Sequence, residues 1–377
     1  SISPETLVDV KDYTDEMRDI ISQGVSVDKL LMKQVNTSEL VNVTITPNGQ
    51  FFRTDKAGFL ADMMETMYED RKKFKNLMLK YKQDYENEKD ESKKYEIEKL
   101  VAKYNNLQLA KKVSLNSAYG ALGSQYFRFY DLRMALGVTS AGQLSIRWIE
   151  NKLNEYLNKL LGNTDKDYVI ASDTDSIYLS LDELVGRTII EKNPNIGTRE
   201  IIQFLDKVCE TKIQPFIDKS YQELKEYLNA FQQRMEMKRE SLADKAIWTA
   251  KKRYILNVHD SEGVAYAKPK LKIMGLEAVK SSTPAACRTK IKEAINIIMT
   301  QSQDELQNFI EKFRHEFRKL PVEDISFPRS VNGLKEYGDA ANIFKKGTPI
   351  HVKGALVYNH FLRELKLNKR YQEIQEG

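Results

Sequence analysis

The chain has 377 residues, of which 41% are hydrophobic, and its 59 lysine and arginine residues exceed its 54 acidic residues, giving a formal net charge of +5. This length predicts two or three structural units instead of one ordinary core. Two cysteines that form no CxxC pair exclude a disulfide framework, and four dispersed histidines argue against a zinc site. The mild positive charge permits a polyanionic partner without requiring one.

The first residues, SISPETLVDV, show neither the basic nor the apolar region of a secretory signal. No segment approaches the roughly 20 consecutive apolar residues that a membrane-spanning helix requires. Together with the unpaired cysteines, these features predict a soluble cytoplasmic protein with no membrane partner.

The predicted elements begin with a short hairpin. Residues 41–53, VNVTITPNGQFFR, alternate apolar and polar side chains on both sides of Asn48-Gly49, a dipeptide that tolerates the positive φ angles of tight turns. From about residue 61 to 115, apolar residues recur at helical spacing, and the polar segment 83–94 interrupts them. This pattern predicts an antiparallel helix pair with a charged tip.

Further helices and strands are predicted in the rest of the chain. A third helix is expected from about residue 140 to 161, because apolar residues follow one face and Gly162 is a natural residue after a helix end. Thr283 and Pro284 predict the N-cap and first residue of a long helix that ends near residue 301. The other predictions are helices within 199–233, strands at 254–259 and 263–267, and a basic, helical end.

Two aspartates between apolar runs form the first candidate site. In DYVIASDTDSIYLSL, residues 167–181, Asp173 and Asp175 are two positions apart, so on a strand or a tight hairpin their side chains point to one side. Carboxylates that close repel one another, and a hard divalent cation is the usual remedy. For a lone Asp-x-Asp, a surface hairpin with an aspartate-rich turn is the better interpretation.

The predicted helix pair carries a second cluster. Lys112, Asn116 and Tyr119 have i, i+4, i+7 spacing and share one helical face, and Arg71 and Lys75 have i, i+4 spacing on the other helix. Three cations on facing helices are unfavourable unless a polyanion such as a triphosphate lies between them. A solvated charged face is the alternative interpretation.

The third cluster is basic. The stretch KKRY, residues 251–254, enters one predicted strand, and three lysines alternate along the next: Lys268, Lys270 and Lys272. Alternating lysines on a strand direct their ammonium groups to one surface, as binding to a nucleic-acid backbone requires. Short basic runs are more often simply solvated.

Taken in order, these clusters resemble the blocks of one family. NSAYGALG after Lys112, then SDTDSIY, then KKRY and KLKIMGLE are similar to the characteristic blocks of family B DNA polymerases. The flanking YFRFYDLRMALGVTSAGQLSIRWIENKLNEYLN, MKRE and KSSTP resemble the replicative polymerases of T-even-type bacteriophages. The likeness runs over nearly the whole chain.

The resemblance implies an α+β fold with a right-hand polymerase architecture: an antiparallel palm sheet, helical fingers and a mostly helical partial thumb. Residues 1–57 and 125–275 would be palm, 58–124 the fingers and 276–377 the start of the thumb. The implied activity is that of a DNA-directed DNA polymerase, which transfers a nucleotide from a dNTP to a primer 3′ end with two Mg²⁺ ions. The implied location is the cytoplasm of an infected bacterium.

The resemblance also implies a role for each candidate residue. Asp175 and Asp173 would bind metal, and Lys252 would help to order the metal site. The incoming nucleotide would be bound by Arg71, Lys75, Lys112, Asn116 and Tyr119, with Lys112 also able to protonate the leaving group. Primer–template DNA would be bound by Lys251, Lys252, Arg253, Tyr254 and Lys272, with Glu240 of MKRE near the primer end.

The sequence departs from the family at several points. The earlier family block, an aspartate followed by a Ser-Leu-Tyr-Pro turn, is not found, and ISPETL resembles the segment just after it. The upstream exonuclease and the C-terminal tail that contacts the sliding clamp are not found either. Ser172 replaces the usual glycine, and Lys238 replaces an aspartate of the phage relatives. The chain alone is therefore predicted to be inactive and to need a segment or partner chain that carries the missing aspartate.

Two further interpretations remain open. The chain could be a catalytically incomplete module that binds nucleotide and primer–template DNA. It could also be a coiled-coil structural protein built on residues 61–115, although the many tyrosines and the broken a/d pattern argue against that.

Overall fold

The computed structural model describes residues 2–377 and divides into two compact units. The first unit contains the chain up to residue 244 together with 258–270, and the second contains 245–257 and 271–377. The α-helices are Asp15–Ser22 (α1), Val27–Leu31 (α2), Phe59–Asn87 (α3), Glu91–Leu122 (α4), Leu132–Leu161 (α5), Asp182–Val185 (α6), Thr198–Val208 (α7), Gln214–Tyr227 (α8), Ala285–Thr300 (α9), Gln303–Phe317 (α10), Val322–Ile325 (α11), Leu334–Tyr337 (α12) and Ile350–Glu364 (α13).

The strands form four small sheets. Their bounds are Val43–Ile45 (β1), Phe51–Arg53 (β2), Val169–Asp173 (β3), Ser176–Leu179 (β4), Ser241–Ala250 (β5), Arg253–Ser261 (β6), Val264–Met274 (β7), Gly338–Asp339 (β8) and Ile343–Phe344 (β9). The pairs β1–β2, β3–β4 and β8–β9 are antiparallel, and β5, β6 and β7 lie side by side in that order. Helices with small antiparallel sheets confirm the predicted α+β class.

The main core of the first unit forms around α5. Leu144, Trp148 and Leu153 lie on one side of this helix and are buried, and the Trp148 indole N–H donates to the Ser220 carbonyl of α8 at 2.9 Å. The predicted end at Gly162 is confirmed, since its φ of 68° is the left-handed conformation that glycine adopts without strain. The same core takes in α8 and the β1–β2 hairpin through Ile217, Tyr221, Leu224, Ile45 and Phe51.

Helices α3 and α4 form the predicted helix pair. Only residues 88–90 separate them, and the Asp90 side chain caps α4 by accepting the Ser92 N–H at 2.9 Å. Tyr81 and Tyr104 stack across the pair with ring centroids 5.6 Å apart. Most apolar side chains between the helices are only half-buried, because two helices alone cannot enclose a core. At the base, the pair joins a small cluster that contains Phe52, Leu60, Leu122 and Met134.

Several predicted boundaries are wrong. The polar segment 83–94 is largely helical, so the tip is shorter than predicted, and α5 begins eight residues before residue 140, at Leu132. The helical pattern predicted to residue 233 ends at Tyr227. Pro284, not Thr283, is the N-cap of α9, because its ψ of 143° is extended. Strand β5 was not predicted at all.

The second unit contains parts of β5, β6 and β7 and all helices from α9 onward. Its core forms where Ile255 of β6 meets Ala278 and the α9 residues Ile295 and Met299. Lys245 of β5 donates to the Met299 carbonyl at 2.6 Å and so binds the carbonyl end of α9. In neither unit is any described helix both long enough and apolar enough to cross a lipid bilayer.

Candidate functional site

The two aspartates lie at the tip of the β3–β4 hairpin. Asp173 ends β3 and pairs with Ser176, the first residue of β4, so Thr174 and Asp175 form the turn. Thr174 has a φ of 57°, and the Asp175 N–H donates to the Asp173 carbonyl at 2.7 Å. This tight turn keeps both carboxyl groups at one end of the hairpin.

The environments of the two carboxyl groups differ. Asp173 is half-buried and accepts a hydrogen bond from the Thr174 hydroxyl at 3.0 Å. Asp175 is exposed, and its carboxylate has no hydrogen bond or ion pair with any residue in the described range 2–377. An exposed, unpaired carboxylate beside a second one fits part of a divalent-cation site, because such cations bind oxygen ligands. The fit is partial, since residues 2–377 contain no group of three or more potential metal ligands.

Two asparagines of α5 hold the start of the hairpin. The Asn154 side-chain oxygen accepts the N–H groups of Tyr168 and Val169 at 2.8 and 3.1 Å. Asn158, which is 9% exposed, bonds both backbone groups of Lys166, accepting its N–H at 2.9 Å and donating to its carbonyl at 2.7 Å. These bonds satisfy backbone groups at and just before the start of β3 and fix the direction in which the hairpin leaves α5.

A cluster around Glu183 closes the loop before β3. Its carboxylate accepts hydrogen bonds from Lys166 at 2.6 Å, Asn163 at 2.9 Å and Tyr168 at 3.0 Å. These bonds, led by the one from Lys166, and the nearby Arg187 guanidinium lower the pKa of Glu183 from 4.5 to about 2. The loop that precedes the two aspartates is therefore held by an ionised carboxylate across most of the pH range.

Helix α4 presents Lys112, Asn116 and Tyr119 on its exposed side. No other residue between 2 and 377 forms an ion pair with Lys112 or bonds its ammonium group. The neighbouring Lys111 instead pairs with Asp70 of α3 at 2.7 Å. That ion pair joins the two helices, and Arg71 and Lys112 are the residues next to it in the chain.

The two cations of α3 differ in their partners. The Arg71 Nε is buried and has no hydrogen-bond partner in the described structure, a state that costs free energy unless an acceptor is supplied. Lys75 instead forms an ion pair with Glu262, which lies in the turn between β6 and β7. The three predicted cations are thus on facing helices. One of them, Lys75, already has Glu262 as an internal counter-ion, which the sequence did not indicate.

The basic stretch 251–254 lies in the second unit. Lys251 and Lys252 are exposed and form the turn between β5 and β6, with Lys252 at a φ of 62°. Gly275 passes so close to this turn that a Cβ built on it would be 2.1 Å from the Lys252 carbonyl oxygen, and its own φ is +69°. Only glycine meets both conditions, so Gly275 fixes the position of the lysine turn.

The remaining residues of this basic cluster are less exposed. Arg253 pairs with Glu277 at 2.5 Å, and Tyr254 is 8% exposed with its ring 6.1 Å from that of Trp248. Lys272 is half-buried on β7. Lys251 and Lys252 are therefore the most accessible of the five residues predicted to bind DNA.

Two lysines in the middle of β7 are not equivalent. Lys268 is exposed, whereas Lys270 pairs with Glu86 of α3 at 2.5 Å and lies over the Tyr266 ring at 4.1 Å. The alternating lysines thus do not form a uniformly free basic surface.

The segment MKRE, which follows α8, is bound to the β6–β7 turn. Arg239 pairs with Asp206 of α7 at 2.5 Å and also with the buried Asp260 of β6. Burial alone would lower the pKa of the Arg239 guanidinium, but the two carboxylates raise it above its usual value. The carbonyl of Glu240, the residue predicted near the primer end, accepts the Glu262 N–H at 2.6 Å.

Comparison with known proteins identifies the family. The sequence model of DNA polymerase family B matches residues 2–199, which include both the helix pair and the aspartate hairpin. The chain belongs to DNA polymerase family B. The predicted resemblance is thereby confirmed.

Phage polymerases are among the similar proteins. The chain is 34% identical over 377 aligned residues to the DNA-directed DNA polymerase of Escherichia phage RB69, covering 88% of the chain and 41% of that protein. It is 38% identical over 271 residues to that of Enterobacteria phage T4, covering 70% of the chain and 30% of that protein. A DNA polymerase delta catalytic subunit from Caenorhabditis elegans is 33% identical over 154 residues. The family B chain thus spans less than half the length of the phage relatives.

Sequence reasoning missed two groups in this family B chain. Glu262, the counter-ion of Lys75, lies 187 positions further along the chain, and no local pattern connects them. The Arg239 ion pairs likewise join distant parts of the chain: the segment after α8, helix α7 and strand β6. Gly263, which starts one of the predicted strands, was the one local signal, because glycine after Glu262 is typical of the second position of a two-residue turn.

Proposed function

We propose that the chain is the polymerase core of a phage replicative DNA-directed DNA polymerase, which transfers a nucleotide from a dNTP to a primer 3′ end. The family match over residues 2–199 carries this proposal, because that range contains both the aspartate pair of the hairpin and the cation-bearing helix faces. In the proposed right-hand architecture, residues 1–57 and 125–275 form the palm, 58–124 the fingers and 276–377 the start of the thumb.

The helix faces are proposed to bind the incoming nucleotide. Arg71 and Lys112 are on the two facing helices and have no counter-ion among residues 2–377, and a triphosphate would supply the acceptors that they lack. Lys112 would also protonate the departing pyrophosphate. Asn116 and Tyr119, one and two turns along the same face, would contact the base and sugar.

The aspartate hairpin is proposed to hold divalent cations, most simply two Mg²⁺ ions. When bound, such ions would activate the primer 3′ hydroxyl and neutralise the triphosphate. Asp175 would be the main ligand, with Asp173 beside it, and Lys252 would help to order the site. Because two carboxylates do not complete a two-ion site, a further carboxylate would come from outside residues 2–377.

Primer–template DNA is the proposed macromolecular partner. Lys251 and Lys252 would contact phosphates from an exposed turn, and Arg253, Tyr254 and Lys272 would support the same surface. Glu240 would lie near the primer end. A segment or chain with the further carboxylate and a sliding clamp are proposed as additional partners, in the cytoplasm of an infected bacterium.

Primer extension by an Asp175→Asn variant tests the proposal. The chain is assayed alone and combined with a family B segment that carries the preceding aspartate block; extension is expected only for the combination. Asp175→Asn should reduce it by about 10³-fold, because a lost metal ligand forfeits several kcal/mol of charge stabilisation.

Asp165→Asn is the matched control, since Asp165 is an exposed loop aspartate outside the proposed site, and it should keep full activity. Full activity of the Asp175 variant, or no extension by a folded and stable combination, would contradict the proposal.

A nucleotide and primer–template binding module without catalysis is the second candidate function. The incomplete ligand set of the hairpin favours it. It predicts salt-dependent duplex binding, unaffected by Asp175→Asn, with no extension from any combination.

A further inference from the structure

A strained turn carries the carboxylate that binds Lys75. Glu262 and Gly263 alone connect β6 to β7, with φ values of 54° and 86°. Two-residue hairpin turns with both φ angles positive strongly favour asparagine, aspartate or glycine at the first position. A glutamate there is conformationally unfavourable, so the turn itself does not explain its presence.

The backbone of this turn is held firmly. The Glu262 N–H donates to the Glu240 carbonyl at 2.6 Å, and the Gly263 N–H donates to the Asp260 carboxylate at 3.0 Å. Asp260 is buried and also pairs with Arg239. Glu262 therefore extends its carboxylate from a fixed support toward α3.

Lys75 is the only one of the three proposed triphosphate cations with an internal counter-ion among residues 2–377. In this ion pair the Lys75 and Glu262 side chains are 33% and 25% exposed, so water screens them only in part. An incoming triphosphate would meet a lysine whose charge is already neutralised and, beside it, a carboxylate that repels phosphate.

We infer that Glu262 is an internal competitor for the triphosphate: it holds the Lys75 ammonium group in the nucleotide-free protein, and the triphosphate displaces it. This inference rests on the proposed function, in which Lys75 binds triphosphate. Glu262 thereby acts through Lys75 as a positioning residue and lowers affinity for nucleotide, so that only a highly charged anion releases α3 from the β6–β7 turn.

A second ion pair between the same elements provides a matched control. Glu86 of α3 pairs with Lys270 of β7 at 2.5 Å, and neither belongs to the proposed nucleotide site. Nearby, the Gln83 side chain accepts the Ala265 N–H at 3.1 Å. Loss of Glu86 therefore loosens the contact of α3 with the hairpin without changing any triphosphate ligand.

Calorimetric titration of the full chain with inorganic tripolyphosphate, and separately with dTTP, tests the inference. Glu262→Gln should bind both about twofold to tenfold more tightly, the range expected for a partly exposed ion pair. Glu262→Asn should behave alike, and its folding is favoured because asparagine suits the turn. Glu86→Gln should bind like the wild type. In a Lys75→Gln background, Glu262→Gln should tighten binding much less than in the wild type, because only the repulsion between the carboxylate and phosphate is then removed.

The outcomes separate the inference from the proposed function. Unchanged affinity in Lys75→Gln, or no binding by the wild type, would remove the proposed triphosphate site and the inference with it. Weaker binding by Lys75→Gln with unchanged or weaker binding by both Glu262 variants would overturn the inference alone. Equal tightening by Glu86→Gln would also overturn it, because general loosening of α3 would then explain the effect.

Discussion

The aspartate hairpin and the α3–α4 helix pair are built in opposite ways. The hairpin is supported by α5. Leu153 of this helix is buried in the same core as Val169 of β3, and the buried Asn158 accepts the N–H of Lys166, just before β3. The helix pair has a half-buried seam, and beyond its base it is joined to the rest of the first unit mainly by polar contacts such as Lys75–Glu262.

This difference assigns different stabilities to the two halves of the proposed site. Buried apolar contacts and buried hydrogen bonds resist local opening, whereas solvent-exposed polar contacts exchange readily with water or ligand. The carboxylates are therefore on the stable part, and the cations are on an element whose attachment a charged ligand can replace. Under the proposed function, closure of the helix pair over a nucleotide would make use of that division.

A matched pair of leucine substitutions should show the largest contrast. Leu153 of α5 is 0% exposed and belongs to the core that includes Val169, whereas Leu77 of α3 is half-buried. Leu153→Ala should lower the free energy of unfolding by about 2–5 kcal/mol, and Leu77→Ala by less than about 2 kcal/mol.

Urea unfolding followed by circular dichroism measures both leucine variants, and hydrogen exchange locates the loss. Equal costs for Leu153→Ala and Leu77→Ala would show that the helix pair is as firmly packed as the hairpin support.

Asn158→Ala should have the next largest effect. It leaves the Lys166 N–H and carbonyl without their partners, which should cost about 1–3 kcal/mol. Amide exchange should accelerate in β3, measured by hydrogen exchange and mass spectrometry, with no change in α4. Asn151→Ala is the control, because Asn151 is exposed on the same helix and makes no side-chain hydrogen bond with the described residues. Unchanged exchange in β3 would mean that the apolar core alone positions the hairpin.

The sequence predicted those features that depend on neighbouring residues. Asn48-Gly49, Gly162 and the aspartate hairpin follow from turn and cap preferences, and the helix pair follows from apolar periodicity. Strand β5 escaped prediction because most of its side chains are exposed and show no alternation. Thr283 was misplaced as a cap because proline can occupy the N-cap as well as the first helical position.

The site could be predicted only in part for a related reason. Residue types and spacing within one helix or hairpin made Asp173, Asp175, Lys112 and Arg71 candidates, and the family resemblance gave them roles that stay predictions. The state of Lys75 depends on Glu262, which folding brings to it from a distant part of the chain. The Asn158 support likewise depends on where the loop before β3 returns to α5. Such tertiary contacts leave no periodic signal in a single sequence.

The smallest predicted effect concerns the pH dependence of the hairpin support. Because hydrogen bonds from Lys166 and Asn163 lower the Glu183 pKa from 4.5 to about 2, the unfolded chain binds a proton at Glu183 before the folded protein does as pH falls. The stabilisation by Glu183 is therefore present above pH 4.5 and lost progressively toward pH 2.

Glu183→Gln should lower stability slightly at neutral pH and make the acid-induced loss shallower, as measured by urea midpoints across this range. Glu155 is an exposed glutamate of α5 without an ion pair among residues 2–377. The control variant Glu155→Gln should therefore leave the pH profile of stability unchanged. Parallel profiles for wild type and Glu183→Gln would show that the loop before the aspartates is held by packing and neutral hydrogen bonds instead of by charge.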